Sequence, residues 1–199
     1  MNRSLRVGLT GGLASGKSTV AGWMRDAGFL VVDADKLVSE LYQPGGEGAA
    51  AVRSLLGPEF LNEEGGVIPA RVAEKIFAET DSRLALEKAI HPLVRKRFAA
   101  LADAARGVVV LEATLLVEAG YAPDFDCVIT VECDGETRLQ RAVARGMNEA
   151  AARSRLLAQG DGDARRAAAH RHLDNCCDLE YLRHQVDELI EELRRLAER

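Results

Sequence analysis

Residues 11–18 read Gly11-Gly12-Leu13-Ala14-Ser15-Gly16-Lys17-Ser18, a complete G-x-x-x-x-G-K-S pattern. The apolar residues Leu5, Val7 and Leu9 lead into it, and a helix-like stretch over 19–27 follows. Strand, glycine loop, helix is the context that turns this string into a phosphate site. Glycines let backbone N–H groups close around phosphate oxygens, and the helix N-terminus adds partial positive charge there. Gly12, Leu13, Ala14, Ser15, Gly16, Lys17, Ser18 and Thr19 are therefore expected to hold ATP or GTP. Lys17 would reach the β and γ phosphates, and the Ser18 hydroxyl would ligate Mg²⁺. The alternative, a glycine-rich turn with a chance lysine, is disfavoured by the flanking strand and helix.

Short apolar runs at 5–10, 29–33, Val108–Glu112 and Cys127–Glu132 read as buried strands, with a weaker fifth at 170–174. They are β-branched and nearly continuous rather than alternating, which favours a parallel sheet covered on both faces. Helical stretches between them make an α/β chain. The clearest helix is the last. Leu179, Leu182, Val186, Leu189, Ile190, Leu193 and Leu196 recur at three- and four-residue steps, with charges on the other face.

The 199 residues suffice for one core domain with insertions. A net charge of -5 argues against wholesale nucleic-acid binding. No apolar stretch has the length of a membrane span or signal peptide, so a cytoplasmic protein without membrane contact is expected, with a monomer favoured. The cysteines Cys127, Cys133, Cys176 and Cys177 form no C-x-x-C motif and read as reduced thiols.

Two segments interrupt the α/β pattern. The span 36–106 is helical and longer than any routine crossover, so it is expected to build an acceptor site. The span 141–172 carries seven arginines against three acids, a basic patch on an acidic protein. Near a phosphate loop it reads as a lid that closes over a triphosphate, the alternative being a solvated helical face. The expected division is therefore a core of 1–35, 107–140 and 170–199, an acceptor domain of 36–106 and a lid of 141–169.

Phosphoryl transfer also needs a base and positive charge for the transferring group. The second run ends Val31-Val32-Asp33-Ala34-Asp35, and carboxylates past a parallel strand face the ligand crevice. Asp35 is the candidate base, with Asp33 beside it; the alternative for both is capping of the next helix. Arg141 and Arg145, one helical turn apart, are candidates for the charge. The pair His91-Pro92 places His91 near a helix start, since proline favours a first turn. Glu112 ends an apolar strand and reads equally as a metal neighbour or a structural acid.

Taken together, these segments resemble the dephospho-CoA kinase family. The resemblance rests on the run 8–20, on Val31-Val32-Asp33-Ala34-Asp35, and on Leu86-Glu87-Lys88-Ala89-Ile90-His91-Pro92-Leu93-Val94. It extends through Leu115-Leu116-Val117-Glu118-Ala119-Gly120, Arg155-Leu156-Leu157-Ala158-Gln159, Arg165 and Leu173-Asp174-Asn175. It implies a P-loop kinase fold, α/β with a five-stranded parallel sheet, a helical acceptor-binding insertion and a lid. It implies transfer of phosphate from ATP, with Mg²⁺, to the ribose 3′-hydroxyl of dephospho-CoA. Asp35 would be the base, and Lys17, Arg145 and Arg141 would stabilise the transferring group. Asn175 would lie near adenine. Thr10, Asp33, His91, Leu115, Leu116 and Glu118 would line the acceptor side. Ala14 stands where the family usually has glycine, and an alanine there calls for an ordinary φ. Another small-molecule kinase, or a slowly hydrolysing nucleotide switch, fits the phosphate loop equally. Only the later motifs separate them.

Overall fold

The computed structural model describes residues 3–199. In chain order the first elements are β1 (Leu5–Gly11), α1 (Lys17–Asp26), β2 (Leu30–Asp33), α2 (Ala34–Leu41) and α3 (Glu47–Leu56). Then come α4 (Pro69–Ala78), α5 (Thr80–Ala104), β3 (Val108–Glu112), β4 (Cys127–Glu132) and α6 (Gly135–Ala144). The last are α7 (Glu149–Ala158), α8 (Asp163–Ala168), β5 (Arg171–Asp174) and α9 (Leu179–Ala197).

Two compact units divide the chain, one running to Val32 and resuming at 102–199, the other Asp33–Leu101. The span 141–169 lies inside the first unit.

The first unit is built on the five-stranded parallel sheet, in the order β2-β3-β1-β4-β5. Its register sets Leu9 beside Glu112, Gly11 beside Val131, and Glu132 beside Asp174. Helices α1 and α9 cover one face. Val20 and Met24 of α1 pack with Leu182, Val186, Leu189 and Leu193 of α9 on Val7, Leu9 and Ile129. Each such side chain taken from water contributes about 1.5–3 kcal/mol. Leu179, expected on the apolar stripe of α9, is 60% exposed instead. It is the first helical residue, and the Asp178 carboxylate caps the turn by accepting from the Tyr181 N–H at 2.8 Å. Because the strands run parallel, their C-terminal ends gather at one edge the phosphate loop, Glu112, Cys133 and Asn175.

The second unit is helical. Its longest element, α5, buries Leu86, Ile90, Val94 and Phe98 at four-residue steps. Pro92 lies inside this helix, so His91 sits mid-helix and not near a start, as the dipeptide suggests. The apolar four-residue repeat continues through the proline and outweighs the one backbone bond to the Lys88 carbonyl that proline cannot make.

Candidate functional site

The phosphate loop leaves β1 at Gly11 and enters α1 at Lys17. Its glycines are required by close neighbours. A Cβ on Gly12 would lie 2.1 Å from Nη2 of Arg138, and one on Gly16, at φ +102°, would lie 2.1 Å from the Asn175 amide nitrogen. Ala14 contradicts the expectation of an ordinary φ. It sits in the left-handed region at φ +56°, the sole non-glycine with positive φ among the described residues.

At the mouth of the loop, Lys17 Nζ donates to Oε1 of Glu112 at 3.1 Å, and the Ser18 hydroxyl donates to the same oxygen at 2.9 Å. Arg25 Nη2 donates to Oε2 at 3.3 Å. Glu112 is only 6% exposed. The residue that sequence leaves undecided is thus the carboxylate on which the loop lysine and the loop hydroxyl converge. A hydroxyl and a carboxylate are hard oxygen donors, the set that Mg²⁺ prefers.

Behind the loop, Arg138 Nε donates to the Leu13 carbonyl at 2.9 Å, and its Nη2 donates to Oε1 of Gln159 at 2.9 Å. That oxygen also accepts from the Leu13 N–H at 2.7 Å. So α6 and the end of α7 clasp Leu13 by both of its backbone groups. Burial, and next the charge of Arg165, push the Arg138 guanidinium below its ordinary value.

A phosphate loop at the C-terminal edge of this five-stranded parallel sheet gives the fold of a P-loop kinase. The family model for dephospho-CoA kinase matches residues 5–180. The chain belongs to the dephospho-CoA kinase family. It is 43% identical over 194 residues to a dephospho-CoA kinase of Syntrophotalea carbinolica, covering 95% of this chain and 92% of that one. It is 42% identical over 174 residues to one from Mycobacterium tuberculosis, covering 86% of this chain but only 43% of that longer protein. The chain thus spans less than half the length of this mycobacterial relative. A crystal structure of TT1252 from Thermus thermophilus superposes with a TM-score of 0.82 at 28% identity, covering 96% of this chain and 98% of that one.

The family's expected site residues fall into groups. Asn175 is buried, and its amide nitrogen donates to the Ser15 carbonyl at 2.7 Å, so that this group holds the phosphate loop. Thr10 is fully buried, and its hydroxyl donates to the Thr114 carbonyl at 3.1 Å, which anchors the segment after β3. Leu116 is fully buried too, close against Gly8, and is core. Leu115 is 47% exposed. Glu118 accepts from Nη1 of Arg165 at 2.8 Å. Arg165 itself is 1% exposed, so a residue of the expected lid is part of the interior.

Arg141 donates to the Asn175 carbonyl at 3.0 Å and to Cys133 Sγ at 3.6 Å. Arg145 lies just past α6, exposed, with its backbone N–H on the Arg141 carbonyl. Arg138 was missed by sequence reading. It precedes Arg141 by three residues, so one face of α6 carries 138, 141 and 145. Extending the basic segment back by one turn would have found it.

In the second unit, Asp33 Oδ1 accepts from the backbone N–H of Asp35 at 2.9 Å and of Lys36 at 3.4 Å. Asp33 is therefore the N-cap of α2, the capping role that the sequence left open. Asp35, in the first turn, is exposed. His91 is half-buried, and burial pushes its imidazole below the ordinary value while Glu87 pulls the other way.

Proposed function

We propose that this chain transfers the γ-phosphoryl group of ATP to the ribose 3′-hydroxyl of dephospho-CoA, giving coenzyme A and ADP. The observation that carries the reading is the convergence of Lys17 and Ser18 on the buried Glu112, in a chain whose family is dephospho-CoA kinase.

In this reading the loop N–H groups and Lys17 bind and orient the phosphates. Ser18 and Glu112 supply the oxygen donors for Mg²⁺. When bound, that ion neutralises charge on the phosphate oxygens. The 3′-oxygen forms its bond to the γ-phosphorus as the bond from that phosphorus to the β–γ bridging oxygen breaks. The hydroxyl proton passes to the Asp35 carboxylate. Arg145, whose side chain bonds to no described residue, is the arginine at liberty to meet the transferring group. His91 and Leu115 belong to the acceptor side. Closure of 141–169 would exclude water and favour transfer over hydrolysis. Among the described residues no helix is long and apolar enough to cross a membrane. The proposal includes a cytoplasmic location and a monomeric state.

The test is incubation with Mg²⁺-ATP and dephospho-CoA, read by mass, with adenosine and AMP as competing acceptors. Coenzyme A at many turnovers supports the reading. Phosphorylation of a competitor alone would move the acceptor, and ADP formed without any acceptor would favour a nucleotide switch. Asp35→Asn should lower kcat about a hundredfold or more with ATP binding retained; an unchanged kcat removes Asp35 as the base.

A further inference from the structure

Cys133 follows β4, and Cys176 lies two residues beyond β5. Their separation in sequence hides a pairing that the neighbouring parallel strands create. One donor atom from each of Cys133, Asp134 and Cys176 lies within 4.8 Å of the others. In a tetrahedral site with Zn–S bonds of about 2.3 Å, ligand sulfurs stand about 3.8 Å apart, so side-chain rotation spans the remaining gap. All three residues line a pocket of about 730 Å³, together with Asp174 and His172. The Asp174 carboxylate accepts from the Cys176 N–H at 2.8 Å, which fixes the turn that presents this thiol. Asp134 is fixed as well, because its Oδ1 accepts from the Thr137 N–H at 2.8 Å as the N-cap of α6.

We propose that Cys133, Asp134 and Cys176 form a binding site for a zinc-class divalent cation in the wall of this pocket. Two sulfurs select such an ion over the hard cation suited to Ser18 and Glu112, so the two sites sort different metals. Three protein ligands leave a fourth position open toward the pocket, as in exchangeable rather than closed structural sites. Arg141 donates to Cys133 Sγ at 3.6 Å, an outer contact of the kind that orients a metal ligand. The buried Cys127 has no such setting. It lies in the apolar core, away from any carboxylate or second thiol of this cluster.

The site bears on the phosphate loop. Arg141 joins Cys133 Sγ to the Asn175 carbonyl, and the Asn175 amide holds Ser15. Occupation of the cation site therefore changes nucleotide affinity. That consequence rests on the kinase reading above, whereas cation binding does not, so the two fail separately.

The probe is Co²⁺, titrated into the reduced full-length protein. The expected result is one Co²⁺ per chain with thiolate-to-cobalt charge-transfer absorption, discharged by Zn²⁺. Cys176→Ser, at an exposed position, and Asp134→Asn, which keeps a good helix cap, should each weaken binding about tenfold or more. Cys177→Ser should bind as the parent does. Thermal melts check that each variant is folded. Absence of the charge-transfer band in the folded parent, or its loss in Cys177→Ser but not in Cys176→Ser, overturns the site. So does a Cys133–Cys176 disulfide formed on removing reductant in a parent that never binds Co²⁺. In a second arm, one equivalent of Zn²⁺ should shift the affinity for ATP severalfold in the parent and not in Cys176→Ser. No shift in either, with Co²⁺ binding intact, overturns the coupling.

Discussion

Replacing Glu112 separates what this residue does for the fold from what it does for the metal. Its carboxylate is 6% exposed and receives three donors, from Lys17, Ser18 and Arg25. Lys17 is 14% exposed and Arg25 is 44% exposed. Glu112→Ala removes the partner of a largely buried ammonium. Breaking a buried pair costs about 3–5 kcal/mol, and the partial exposure of Lys17 points to the lower end. At about 2–4 °C per kcal/mol for a chain of this size, Tm should fall by about 6–12 °C. Glu112→Gln keeps the volume. Its amide oxygen can face Lys17 and Ser18 while the NH₂ turns to Arg25, which is exposed enough to swing into water. The cost there is the change from charged to neutral hydrogen bonds, about 1–2 kcal/mol. The Mg²⁺ dependence should respond differently. Loss of the negative charge at this oxygen should weaken the apparent Mg²⁺ affinity in the kinase assay about 10–100-fold, by analogy with residues that tune bound metals. Calorimetry of both variants and a Mg²⁺ titration of Glu112→Gln at fixed ATP provide the measurements. A folded Glu112→Gln with unchanged Mg²⁺ dependence refutes the metal role. A Tm change below about 1 °C in Glu112→Ala refutes the buried-pair argument.

Ala14→Gly should stabilise the chain, because left-handed φ costs an L-residue about 1–2 kcal/mol and glycine returns only about 0.4–1 kcal/mol through the unfolded chain; a lower Tm would contradict this. Arg138→Ala should raise the KM for ATP more than it lowers kcat, since the side chain holds Leu13 of the phosphate loop directly and through Gln159; an intact KM would remove the clasp. His91 gives a pH signature. Its folded value is depressed, so the folded chain resists a proton that the unfolded chain accepts near pH 6.5. Stability is full above that pH and falls as the pH drops below it. Urea unfolding from pH 8 to 5 should show this decline in the parent and a flatter profile in His91→Gln.

Most of the fold was legible because it rests on local patterns. Nearly continuous β-branched runs marked β3 and β4 to the residue, and the three- and four-residue repeat marked α9. The loop motif survived because its chemistry is contiguous. What the sequence left illegible shares one cause, which is that a residue's partner is distant in the chain. Thr10 meets Thr114, Leu116 meets Gly8, Glu118 meets Arg165, and Asn175 meets Ser15. Each of these contacts becomes visible only once the strand order brings the partner alongside. Glu112 was undecidable for the same reason, since its role depends on the β1–β3 register that sets it next to Leu9. Asp33 is a different case. Its capping role was visible locally, but a carboxylate at a strand end serves a cap or a crevice with the same residue type.

The left-handed Ala14 and the clasp around Leu13 explain one another. A glycine-rich loop is usually pictured as holding its shape because glycine permits it. Here the shape is imposed from outside. Leu13 has its N–H on Gln159 and its carbonyl on Arg138, and Ser15 has its N–H on the Gly12 carbonyl at 3.2 Å and its carbonyl on Asn175. The residues on both sides of Ala14 are thus pinned, and the φ between them follows. Hydrogen bonds involving a charged group contribute about 1.5–3 kcal/mol each, enough for the Arg138 bonds alone to offset the strain at Ala14. The partners come from α6, from the end of α7 and from beyond β5, so the conformation of the phosphate loop is coupled to the basic segment that follows β4. Movement of that segment which breaks the Gln159 contact frees the Leu13 N–H for phosphate. It also loosens the constraint on Ala14, which can then relax toward an ordinary φ. Any change in the position of that segment would therefore be felt in the loop, and an alanine at position 14 makes this loop depend on the clasp more than a glycine would.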